Sequence, residues 1–184
     1  MSHPSTRTRA ILLIALLLAV LPKQSLAQPP PPSATTNYSV SGPEVENYRL
    51  TITTSNKTHA AGQLVPLEIS LDNLSTNAAD ISAGTGFMYY SLKVADPGGR
   101  PAPMTAYGTN ALFPTGYSLF SRHVPPGKSC TAYAALNFLF NMTNTGEYTV
   151  TAARQVPKRS GPYKEVWVRA GPLKITITEP EKKP

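Results

Sequence analysis

The sequence predicts an all-β domain, a Greek-key sandwich of about seven strands, and three observations carry that expectation. Val65, Leu67, Ile69 and Leu71 alternate with Glu68, Ser70 and Asp72, the period of a half-buried strand. A turn containing Gly146 leads into a second clean alternation, with Tyr148, Val150 and Ala152 on one face and Thr149 and Thr151 on the other. Beyond residue 47 no apolar pattern holds at helical spacing for the length of an ordinary helix.

The chain opens differently. Arg7 and Arg9 precede an apolar run from Ala10 to Leu21, then Pro22, then Ser25, Leu26 and Ala27 with small residues at the outer two places. This is the pattern of a secretory signal peptide over residues 1–27, cut after Ala27, and it implies a secreted or periplasmic protein. The run is shorter than the roughly 20 apolar residues that span a bilayer; an uncleaved N-terminal anchor is the alternative. No cysteine stands near the cut to take a lipid, and no second apolar run of membrane length follows. Loss of Arg7, Arg9 and Lys23 leaves 14 basic against 10 acidic residues and lowers the net charge from +7 to +4. The remaining charges are dispersed, so nucleic acid is not an expected partner.

Residues 28–47 read as a Pro-rich linker, since Pro29 to Pro32 cannot donate backbone hydrogen bonds and favour an extended spacer. The domain is expected over 48–178, followed by a charged flexible tail at 179–184. Tyr48, Leu50 and Ile52 begin the first strand, and Asn56 to Gly62 turns the chain. Pro66 fits only at the start or edge of the strand that follows. Ala79 to Ser82 is a short strand and Tyr90, Leu92 and Val94 a stronger one, ended by Asp96, Pro97, Gly98 and Gly99. Pro101 to Gly116 is a long irregular segment, and loops of that length commonly have a function or are disordered. Leu119 to His123 forms an edge strand. In Ser129 to Phe140, Thr131, Tyr133 and Phe138 favour a strand over a helix built on Ala132, Ala134, Ala135 and Leu136. In Glu165 to Thr178 the apolar residues switch from even positions, Val166 and Val168, to odd ones, Leu173, Ile175 and Ile177. Strand faces alternate strictly, so a bulge or break is required, and Gly171 with Pro172 is its place.

Cys130 is the only cysteine, which excludes an intramolecular disulfide. Its parity with Ala132, Ala134, Leu136 and Phe138 points it inward as a small hydrophobe, with an intermolecular disulfide or a reactive thiol as the alternative.

Gly146, Glu147, Tyr148, Thr149 and Val150 resemble the glycine, x, tyrosine, x, cysteine lead-in to the penultimate strand of immunoglobulin-like domains. The resemblance implies that Tyr148 forms a corner, its hydroxyl bonding to backbone upstream, and that Val150 replaces the second disulfide cysteine. The chain has no cysteine pair, and its only tryptophan, Trp167, follows this strand, so the match is to disulfide-free bacterial modules. Val65 to Asn73 followed by Leu74 and Ser75 is similar to the strand ending in asparagine found in extracellular bacterial sandwiches, including a proteinase-inhibitor family.

Signals for catalysis are few. His59 and His123 fall on separate expected turns, and no metal-ligand spacing joins them, so no metal or other cofactor is expected. Asp72, Asp80 and Asp96 sit at strand ends and could hold calcium only if the fold gathered them. No G-x-S-x-G elbow and no phosphate-binding loop occurs, which argues against an enzyme. Two surfaces are the candidates for binding an unknown protein or glycan. One is the long segment with Tyr107, Phe113, Tyr117 and Phe120, whose aromatics either line a groove or cap the core. The other is a basic tip with Lys158, Arg159, Tyr163 and Lys164, flanked by Arg154 and Arg169. The leading expectation is a monomeric, non-catalytic binding module; the alternatives are a proteinase inhibitor presenting 101–116 in extended form and an enzyme of unknown class. N-x-S/T triplets at Asn37, Asn56, Asn73 and Asn141 are glycosylation acceptors if the host glycosylates its secreted proteins.

Overall fold

A computed structural model describes residues 37–84, 87, 89–114, 119–158 and 164–180. The expected signal peptide, the proline run, Tyr117, Arg159, Tyr163 and residues 181–184 lie outside the described residues. Within them the fold is all-β with two short helices, and its strands number ten, more than the sequence predicts.

One four-stranded sheet runs β1 (Tyr38–Ser41), β2 (Tyr48–Thr54), β4 (Pro66–Asn73), β8 (Ser129–Ala135) in that spatial order. A second runs β3 (Thr58–Ala60), β10 (Glu165–Thr178), β9 (Gly146–Pro157), β6 (Tyr90–Ala95). A two-stranded sheet pairs β5 (Ala79–Gly84) with β7 (Leu119–Val124). All pairings are antiparallel except the short one between β3 and β10. Alternation drives the assembly. Leu50 and Ile52 of β2, Leu67, Ile69 and Leu71 of β4, Tyr148 and Val150 of β9 and Ile175 of β10 are all buried and join one apolar cluster. At about 25 cal/mol per Å² of apolar surface, this shared core is the main source of stability in a chain without a disulfide.

The expected break in the last strand is a β-bulge. Ala170 pairs with Ala152 and Leu173 with Val150, so β10 holds one residue more than its partner between these positions. Burial accordingly passes from Val168 and Ala170 to Leu173, Ile175 and Ile177. Gly171 adopts a φ of 107°, and a Cβ there would stand 2.7 Å from the Val150 carbonyl oxygen. Only glycine fits both the backbone conformation and the approach.

Four expectations are corrected. The strand β1 lies within the segment read as linker, because Tyr38 to Ser41 pairs with Thr51 to Thr54 of β2. The strand β3 occupies part of the expected turn, and it carries His59 into the interior, where Nε2–H donates to the Asn56 carbonyl at 3.0 Å. The Pro101 to Gly116 segment is not irregular throughout: α1 (Ala106–Leu112) fills its middle, capped by the Thr105 hydroxyl, which accepts from Gly108 N–H at 2.9 Å. The strand expected as far as Phe140 ends at Ala135 and becomes one helical turn, α2 (Leu136–Leu139), which buries Leu136 and Leu139 and leaves Phe138 exposed. The two helices touch at Gly108, where a Cβ would stand 1.9 Å from the Leu139 carbonyl oxygen. Among the described residues no helix is long and apolar enough to cross a membrane.

Candidate functional site

Tyr107 and Phe113 stand at opposite ends of α1, 63% and 66% exposed, so neither caps the core. Phe120 is also exposed, on β7, and lines a cleft with Tyr89, Tyr90 and Arg122. In the basic loop Lys158 N–H donates to the Lys164 carbonyl at 2.6 Å and so closes the hairpin, but the flanking Arg154 does not belong to it.

Arg154 lies on the inward face of β9, in line with Tyr148, Val150 and Ala152, and is 2% exposed. Its guanidinium stacks 4.4 Å from the ring centre of Tyr90, donates through Nη1 to the Tyr90 hydroxyl, and through Nη2 to the Ser82 carbonyl at 3.2 Å. The Nε of Arg154 is buried without a hydrogen-bond partner. Burial raises the Tyr90 phenol above its ordinary range, opposed by the positive charge of Arg154. Beside them Arg122 donates to the Cys130 sulfur at 3.2 Å. Cys130 itself is buried, as its parity predicts.

The acidic residues stay apart. Asp72 accepts from Ser129 at 2.7 Å, Asp80 pairs with His123 at 2.9 Å, and Asp96 accepts from the backbone of Gly98 and Arg100 at 2.9 Å each. His123 sits on β7, not on a turn. Among the described residues no group of three or more His, Cys, Asp or Glu is placed to hold a metal ion.

The outer face of β6, β9 and β10 carries another candidate surface. Ser91, Ala153 and Arg169 lie in one row across the three strands, and Lys93 stands beside Thr151 in the next. Trp167, 40% exposed, rises next to them, opposite Gln155. Gly42 and Pro43 border the same depression, a cleft of about 420 Å³. Small side chains on the central strand make its floor, with the indole and Arg169 on one side and Lys93 on the other. Among the described residues no acidic one lines it. The signal in the sequence was the parity of Trp167, opposite to that of buried Val168. The neighbourhood was hidden, because Lys93, Thr151 and Trp167 come together only through strand pairing.

Asn73 is a structural residue. Its side-chain amide donates to the carbonyls of Asn77, Val124 and Pro125 at 2.9, 2.9 and 3.2 Å, and its carbonyl oxygen accepts from Ser75. It is buried, so its triplet is closed to a glycan in the folded chain, whereas Asn37, Asn56 and Asn141 are exposed. No protein-family model matches the chain, and no curated protein matches it.

Proposed function

We propose that this chain is a secreted, monomeric, non-catalytic binding module of the immunoglobulin-like Greek-key class, and that it meets an acidic partner protein through the outer face of β6, β9 and β10. The observation that carries the reading is the exposed Trp167 beside Arg169, with Lys93 across the cleft, over a floor of small residues with no acid lining it among the described residues. Tryptophan and arginine are the residues most enriched among binding hot spots, since each offers a large, stiff surface with a polar handle. The two cations supply complementarity to an acidic surface and raise the rate of encounter. The signal-peptide pattern supports secretion, and the Tyr148 corner with its two four-stranded sheets supports the class.

The test is a binding survey over the immobilised chain, using acidic extracellular proteins and, in a separate arm, acidic glycans. A protein partner whose dissociation constant rises at least about tenfold, some 1.4 kcal/mol, in Trp167→Ala is the expected result. Arg169→Glu is expected to weaken it by a comparable factor. A glycan in place of a protein would change the partner class, and a partner indifferent to both substitutions would remove this face from the account.

A further inference from the structure

A second site lies on the inward side of β9, where, among the described residues, the buried charge of Arg154 has no counter-ion. None of the ion pairs among the described residues involves Arg154 or Arg122. A guanidinium taken out of water is stabilised by an opposite charge, and here its neighbours are a phenol ring, a hydroxyl and one backbone carbonyl. The Tyr90 oxygen accepts from Arg154, which turns the phenol's own hydrogen away from the guanidinium, and among the described residues that hydrogen has no acceptor. Next to it opens a cleft of about 150 Å³, lined by Tyr89, Tyr90, Phe120, Arg122, Cys130 and Arg154, with no carboxylate among its walls in the described residues. Arg122 is exposed, and one of its guanidinium nitrogens is held in place by the Cys130 sulfur at 3.2 Å. The cleft therefore offers a polarised phenol as donor, a positioned guanidinium at the surface and a second, buried positive charge against the phenol ring.

We infer that this cleft binds a compact oxyanion, a carboxylate or a phosphate group, between the Tyr90 hydroxyl and the Arg122 guanidinium, with Arg154, stacked on the ring, polarising the phenol. A water molecule occupies about 30 Å³ of liquid, so the space takes such a group and little more. The ligand enters by its charged end and the rest of it stays outside, beside Phe120. The site is independent of the outer face around Trp167, and each can fail without the other.

The experiment is a chemical-shift titration of the isotopically labelled protein with sodium phosphate, sodium acetate and sodium chloride in turn, at constant ionic strength. Saturable shifts at Tyr90, Arg122 and Arg154 are expected with phosphate, acetate or both, and not with chloride; the pair of oxyanions tells a phosphate from a carboxylate preference. Arg122→Gln is expected to raise the dissociation constant at least tenfold and Tyr90→Phe, which keeps the ring under Arg154, at least threefold. Equal shifts with chloride, shifts that do not saturate, or an unchanged dissociation constant in both variants would overturn the inference.

Discussion

The hydroxyl of Tyr148 donates to the carbonyl oxygen of Asn144 at 3.0 Å, tying the turn before β9 to the first buried residue of that strand. A buried phenol that bonds back four residues fixes the angle at which the chain enters the sheet. Tyr148→Phe keeps the ring and deletes the bond, so it is expected to lower the free energy of unfolding by about 1 kcal/mol in a denaturant titration. An unchanged midpoint would mean that the corner contributes nothing.

The faces of β9 predict opposite outcomes one residue apart. Val150 is fully buried, and Val150→Asp places an unpaired charge among Leu92, Val94 and Leu173, which is expected to abolish the cooperative transition. Thr149 faces outward beside Lys174, and Thr149→Asp is expected to change stability by no more than about 0.5 kcal/mol. Thermal unfolding followed by circular dichroism separates the two.

Asn73 joins the end of β4 to the Asn77 turn and to the Val124–Pro125 backbone through a single amide. Asn73→Ala leaves buried carbonyls without donors and is expected to cost about 2 to 3 kcal/mol, read as a shift in the denaturation midpoint. A loss below about 0.5 kcal/mol would show that water replaces the amide without penalty.

Tyr90 and Tyr148 both have phenols raised above their ordinary range, in each case chiefly by burial. A folded-state pKa above the unfolded value, about 10, stabilises the fold fully below that value, and the contribution is lost as pH rises through the folded pKa. The protein is therefore expected to lose stability in base above about pH 10, with two phenols ionising later than the exposed ones in ultraviolet absorbance. Tyr90→Phe should remove one late phenol. A single early phase that includes every tyrosine would contradict the assignment.

Much of the fold is legible in the sequence because strands announce themselves locally. The switch from Val168 to Leu173 parity located the bulge at Gly171, since no other arrangement keeps both halves of β10 on the core. Short elements escaped the same reading: β3 is three residues long, and α1 contains seven residues with Thr105 as its one side-chain cap. Arg154 was grouped with the basic loop by proximity in the chain, although its even position aligns it with Tyr148, Val150 and Ala152. Charge suggested a surface residue where parity placed it inside. The parity of Trp167 marks it as outward-facing, but its neighbourhood is not legible, because Lys93 meets Thr151 across 58 residues of chain, a register that depends on the whole sheet.

The proposed binding face centres on Trp167, the chain's only tryptophan. Its intrinsic fluorescence therefore reports on that face alone. Titration with a partner protein free of tryptophan is expected to shift the emission to the blue and to protect the indole from acrylamide quenching, saturating at the dissociation constant measured independently. A partner that binds fully while the emission and quenching of Trp167 stay unchanged would contradict the claim.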